Sequence, residues 1–123
     1  MKTAILILTE HQTPENRGRM AHALNLAGDA KRAGLDLRVI FAGKSVEWLP
    51  QFLDPNREEA HPFVKHYGHR FDDIRDHVIT CNFCNIRFKT MDAVQGHVPV
   101  HGEGSAHMDQ TWLLTEGWNV ITI

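Results

Sequence analysis

The chain predicts an α/β fold, a single-domain three-layer sandwich around a mostly parallel sheet, on three observations. Apolar runs of strand length recur from end to end of its 123 residues. Segments with helical apolar spacing separate them. Glycine or proline stands at most of the junctions. Strands that alternate with helices imply right-handed parallel crossovers and a sheet covered on both faces.

The elements follow in order. Thr3 to Thr9 is a continuous apolar run with polar ends, as expected of a strand buried on both faces. Pro14 and Glu15 open a helix, because proline at a first turn gives up no hydrogen bond. Met20, Ala23, Leu24, Ala27 and Ala30 form one helical stripe, Lys31 and Arg32 favour the last turn, and Gly34 supplies the stop. Leu35 to Ala42 is a second strand. Gly43 turns the chain, and Ser45 caps a short helix through Trp48 that ends near Pro50. The polar stretch from Asp54 to Asp76 holds one or two helices, with Phe63, Val64, Tyr67, Phe71 and Ile74 at roughly helical spacing. His77 to Cys81 is a third strand and Phe83 to Val94 a helix. Val98 to Val100 is a short strand that Pro99 confines to an edge or a turn. Gly102 to Gly104 is a loop, Ser105 caps a last helix over Met108 to Glu116, and Trp118 to Ile123 is the terminal strand.

The totals narrow the function. This length suits one domain, residues 1–123, with one core. A net charge of −2 without a long run of one sign weighs against a general nucleic-acid binder. The apolar run within Met1 to Leu8 is too short to span a bilayer and lacks a cleavage site, so no membrane contact and a cytoplasmic location are expected. Gly102-Glu-Gly104 lacks the third glycine and the preceding strand of a phosphate cradle, and no cofactor is expected. Nine histidines leave the net charge sensitive to mild acid.

The two cysteines carry the strongest chemical signal. Cys81 closes a strand and Cys84 lies in the first turn of the next helix, where free N–H groups and the helix dipole favour a thiolate. Arg87 and Lys89 add positive charge close by in sequence. In a cytosolic chain such a pair reads as redox-active or metal-binding, although free cysteine is also commonly a small buried hydrophobe. A thiolate in an open crevice can take sulfane sulfur as a persulfide or pair with its neighbour as a disulfide. A rival pattern is present. Twelve residues separate Cys84 from His97, and three more separate His97 from His101, the ligand spacing of a Cys-Cys-His-His zinc finger. Gly96 and Pro99 oppose it, since a finger needs both histidines on one continuous helix.

The N-terminal strand, the helix from Met20 to Ala33, the segment Leu35 to Gly43, Cys81-Asn-Phe-Cys84 and the closing Glu116 to Ile123 together resemble the DsrE/DsrF-like proteins over nearly the whole chain. The resemblance implies a small α/β fold with a parallel-rich sheet, assembly as a homo-oligomer with a dimer or trimer building block, and sulfur relay as a persulfide on a strand-end cysteine. Cys81 matches that cysteine and Cys84 a second one found in some members. The long polar insert and the pair His97 and His101 depart from the sulfur-relay proteins proper, and the chain looks more like the uncharacterised single-domain members. The expected function is that of a sulfur carrier or sulfurtransferase-like protein with a donor or acceptor protein as partner. The alternative is a zinc-binding or purely structural oligomeric module using Cys81, Cys84, His97 and His101.

Other residues read as ordinary surface or core. His11 and Glu10 follow the first strand and could line the crevice, but a lone loop histidine is usually solvated. His61, His66 and His69 read as a solvated helical face, and His107, which opens the last helix and could point toward the ligand end of the sheet, reads rather as a cap or solvated residue. Trp48, Trp112 and Trp118 suit packing or a subunit contact.

Overall fold

The computed structural model describes residues 1–123. Its five strands are β1 (Lys2–Ile7), β2 (Asp36–Phe41), β3 (Val78–Cys81), β4 (Val100–His101) and β5 (Asn119–Thr122). They form one sheet in the order β4-β3-β2-β1-β5, and every pairing is parallel. The helices are α1 (Pro14–Arg32), α2 (Trp48–Phe52), α3 (Pro62–Ile74), α4 (Asn82–Arg87), α5 (Met91–Val94) and α6 (Thr111–Thr115). This is the expected α/β sandwich, with a wholly parallel sheet.

Handedness dictates where each helix lies. From β1 to β4 the chain steps in one direction across the sheet, so right-handed crossovers put α1 and α3 on the same face. Phe41 of β2 meets Phe71 of α3 edge-on at 6.3 Å, which identifies the side chains of that face. Side chains alternate along a strand and ladder partners share a face, so Ile5, Ile7, Leu37, Val39 and Val78 belong with Phe41, and all are buried. The return from β4 to β5 runs the other way and carries α6 to the opposite face. There Trp118 stands near Lys2 and Arg38, whose charged ends lie 5.7 and 5.5 Å from its ring centre. By the same alternation Arg38, Ile40, Ile79 and Cys81 point to this second face.

Local signals explain most of the elements. Thr13 caps α1 by accepting the Asn16 N–H at 3.2 Å, with Pro14 in the first turn. The buried residues of α1 are the predicted stripe of Met20, Ala23, Leu24, Ala27 and Ala30. Gly34 then takes a left-handed turn at φ 76° that other residues rarely adopt. Trp48, fully buried, stacks on Phe52 at 5.6 Å, and Phe52 stacks on Phe71 at 4.9 Å. Each such buried ring contributes on the order of 2–3 kcal/mol. No helix is long and apolar enough to cross a membrane.

Four local expectations change. Ser45 does not cap a helix. It is buried in a 3₁₀ turn (Gly43–Glu47), where its hydroxyl lies 2.6 Å from the Ile7 carbonyl and 2.7 Å from that of Ala42. Pro50 sits inside α2 instead of ending it, because in a first turn its missing N–H costs nothing. The helix expected over Phe83 to Val94 is two pieces, parted at Lys89, which adopts φ 58°. The last helix begins at Thr111, where Asp109 accepts the Thr111 N–H at 2.9 Å, and Ser105 stays in an exposed loop.

The break between α4 and α5 is held by a buried polar network. The Asn85 side-chain amide donates to the Thr80 hydroxyl at 2.8 Å and the Cys81 carbonyl at 2.7 Å, and its oxygen accepts the Thr90 hydroxyl at 2.6 Å. The Thr80 hydroxyl in turn donates to the Phe41 carbonyl at 2.9 Å. Asn85→Ala removes the amide that bonds the Thr80 hydroxyl, the Cys81 carbonyl and the Thr90 hydroxyl, a loss of about 1–3 kcal/mol. Urea unfolding should show a lower midpoint at unchanged slope.

Candidate functional site

The site grows from the end of β3. This strand lies between β2 and β4, so Cys81 stands at the carboxyl end of an interior strand. The chain enters α4 at the next residue, which puts Cys84 in the first helical turn. Neither sulfur is bonded to the other; both cysteines are free thiols, with only 2% and 5% of their surface exposed.

What covers them is the segment from Gly102 to Asp109. The Asn82 side chain donates to the Gly104 carbonyl at 2.6 Å and so ties this segment to the start of α4. Gly102 makes the close approach possible. A Cβ there would stand 2.7 Å from the Ala106 oxygen and 2.8 Å from the Asn82 Cβ, at a backbone φ of 127°. The tie brings the His107 Nδ1 to 3.7 Å from the Cys81 sulfur and 4.0 Å from the Cys84 sulfur. The three donor atoms lie within 4.8 Å of one another. The His107 ring also packs on Phe83, with centroids 4.1 Å apart.

The two sulfurs differ electrostatically. The Met108 N–H donates to Cys81 at 3.4 Å, and the Gly43 N–H to Cys84 at 3.2 Å. Burial pushes the Cys81 thiol up, but hydrogen bonds from the Cys84 thiol, the Met108 and Cys84 N–H groups and the His107 ring outweigh it. The net result is a pKa below the ordinary value. Burial, then the neighbouring Cys81 sulfur, push Cys84 up to about 11. A first negative charge on Cys81 is therefore favoured, and a second beside it is opposed. Arg87 and Lys89 are not the source of this bias: Arg87 lies over the Phe88 ring, 5.8 Å from its centre, and Lys89 is exposed.

The alternative four-ligand set of Cys81, Cys84, His97 and His101, which Gly96 and Pro99 oppose in the sequence, does not assemble. The imidazole that joins the cysteines is His107. Gly96 turns the chain at φ 83°, and Pro99 leads into the extended β4 instead of prolonging a helix. His97 and His101 are both exposed. His101 is the ladder partner of Cys81 and lines, with His107, a shallow hollow of about 580 Å³. The sequence assigns His107 to a cap or to solvent, because it lies 26 residues from Cys81 and nothing local links the two.

The remaining expected candidates have structural partners. His11 approaches Glu47 at 3.8 Å and meets Trp48 edge-on at 5.9 Å. Glu10 accepts from the Gln12 N–H and the Asn16 side chain, organising the turn into α1. His61 caps α3 by accepting the Phe63 N–H at 3.1 Å, and His66 and His69 are exposed.

No protein-family model matches the chain. It is 26% identical over its full length to an uncharacterised protein of Methanocaldococcus jannaschii, of which it covers 96%. A conserved protein of unknown function from Bacteroides thetaiotaomicron superposes with a TM-score of 0.61 at 16% identity, covering 98% of this chain and 94% of that one, a likeness of fold.

The asymmetry of the two thiols has a direct readout. Iodoacetamide should modify Cys81 before Cys84 at neutral pH, because the lowered pKa leaves more thiolate there. Cys84 should gain reactivity only as pH rises toward 11. In Cys81→Ser its reactivity should appear at lower pH, once the repelling neighbour is gone. Peptide mapping of the alkylated chain checks both.

Proposed function

We propose that this protein is a sulfur carrier of the DsrE/DsrF-like kind, with Cys81 as the persulfide-bearing nucleophile and Cys84 as the resolving thiol. The observation that carries the reading is the setting of the Cys81 sulfur. It sits at an interior strand end, receives the Met108 N–H at 3.4 Å, and has a second thiol and an imidazole beside it. The all-parallel sheet agrees with the architecture that the family resemblance implies.

The chemistry balances without a cofactor. The Cys81 thiolate attacks the outer sulfur of a donor persulfide, a new S–S bond forms on Cys81, and the donor's own sulfur leaves as a thiolate with the electron pair of the broken bond. An acceptor nucleophile can then take the outer sulfur by the reverse logic. Alternatively, the Cys84 sulfur attacks the inner sulfur of the persulfide. The outer sulfur departs as hydrosulfide with the Cys84 proton, and a Cys81–Cys84 disulfide remains for an external thiol to reduce. The high pKa of Cys84 favours the first route near neutral pH, since an un-ionised thiol is a poor attacker. Access requires the 102–109 segment to shift, because the Cys81 sulfur is almost fully covered.

A homo-oligomer belongs with this reading. Strand β5 leaves one edge of the sheet unpaired, and Val120 and Leu114 expose apolar surface, Leu114 to 83%. Light scattering at micromolar concentration should give the mass of a dimer or trimer, and a monomer would remove this part of the proposal.

Sulfur loading tests the function. Incubating reduced, chelator-treated protein with a persulfide donor should add one sulfur atom to the intact mass, removable by thiol. Cys81→Ser should abolish the increment. Cys84→Ser should keep it, and should lengthen its lifetime at alkaline pH, where Cys84 ionises and can attack. Loading that survives Cys81→Ser would move the nucleophile to Cys84, and a wild type that takes up no sulfur would end the carrier reading.

A further inference from the structure

We infer that Cys81, Cys84 and His107 form a three-ligand site for a thiophilic cation of the zinc class, with its fourth position open toward the 102–109 hollow. The inference does not depend on whether the chain carries sulfur.

The donor set is specific. Two sulfurs and one imidazole nitrogen suit borderline-soft cations such as Zn²⁺ and disfavour Mg²⁺ or Ca²⁺, which prefer oxygen. The spacing fits as well. Zinc bonds of about 2.3 Å to sulfur and about 2.0–2.1 Å to nitrogen place those ligand atoms about 3.6–3.8 Å apart. The His107 Nδ1 lies 3.7 Å from one sulfur and 4.0 Å from the other, so only small movements are needed to close the coordination.

The surroundings resemble support for bound thiolates. Each sulfur already accepts a backbone N–H, from Met108 and from Gly43. Such donors steady a sulfur that carries charge and fix its orientation. The His107 ring packs tilted against Phe83, with Nδ1 toward the sulfurs. A divalent ion would offset the charge of two buried thiolates placed side by side, which nothing cationic on α4 does. His107 is exposed, so one side of the site faces solvent and a water or a small thiol could complete a tetrahedron.

A bound cation would occupy both sulfurs and shield Cys81 from electrophiles, so occupancy and sulfur loading exclude each other. Turnover of metal against sulfur at one cluster would make the loading of this protein responsive to free zinc.

The test titrates reduced, metal-stripped protein with Zn²⁺ against a chromophoric chelator, with Co²⁺ as a spectroscopic substitute. Expected is one zinc per chain and a thiolate-to-cobalt charge-transfer band. His107→Ala should weaken binding at least tenfold, Cys81→Ser and Cys84→Ser should each weaken binding and cut the band by half or more, and the double variant should abolish it. His97→Ala and His101→Ala should bind as the wild type does. One equivalent of zinc should slow Cys81 alkylation in the wild type and have little effect in His107→Ala. His107 is exposed, so its truncation leaves the core intact, and an unchanged unfolding curve verifies this. Wild-type protein that cannot compete with the chelator overturns the site, as does His107→Ala that binds equally well. Loss of binding in His97→Ala or His101→Ala would return the ligands to the zinc-finger spacing and overturn it too. Sulfur loading is measured with chelator present, so a chain that loads sulfur but takes no zinc refutes this site alone. A chain that takes zinc but never loads sulfur refutes the carrier reading alone.

Discussion

The buried amide of Asn85 is the constraint on which the carboxyl rim of this sheet depends. A polar side chain at zero exposure must find partners for its donors and its acceptor, and only one arrangement of β3, α4 and α5 supplies them. Because one of its bonds goes to the Cys81 carbonyl, the backbone that bears the cysteine is locked to the helix that bears Cys84. The linked Thr80 hydroxyl carries the same constraint into β2 through the Phe41 carbonyl. The spacing of the two sulfurs is thus a consequence of a polar network that touches neither.

A second device sets the chemical character of the pair. The 102–109 segment folds back because Gly102 lacks a side chain and Asn82 donates to the Gly104 carbonyl. It brings the Met108 N–H to Cys81 and sets the His107 imidazole nearer to Cys81 than to Cys84, whose N–H comes from Gly43. Two otherwise similar thiols are therefore driven in opposite directions. Burial acts on both, so the difference comes from the donors around Cys81 and from the penalty for placing a second charge next to the first.

The fold positions this cluster away from the point where the strand order reverses. That point lies between β1 and β5, whereas the cysteines stand at β3, with β2 and β4 on either side. Ligands of open α/β sheets commonly use the reversal crevice. Here the loop that follows β1 is organised internally by Glu10 and Thr13. The 3₁₀ turn after β2 and the loop after β4 are instead the ones that reach the sulfurs.

The α/β class, the five strands in order, the stripe of α1 and the strand-end location of Cys81 were all legible in the sequence. They depend on periodicity and on glycine and proline, which act within a few residues. The two pieces of α4 and α5 were not legible, because Lys89 takes the positive φ that glycine usually supplies where a helix ends, with the Thr90 N–H bonding back to the Asn85 carbonyl at 2.9 Å. The buried role of Ser45 was hidden because its partner carbonyl at Ile7 lies 38 residues away. Most consequentially, the sequence offered His97 and His101 at attractive spacing, while the chain direction through Gly96 and Pro99 made that spacing irrelevant in space. Only the tertiary structure could select His107, since its approach to the sulfurs depends on a glycine contact, an asparagine tie and a parallel edge strand, none of which has a local signature.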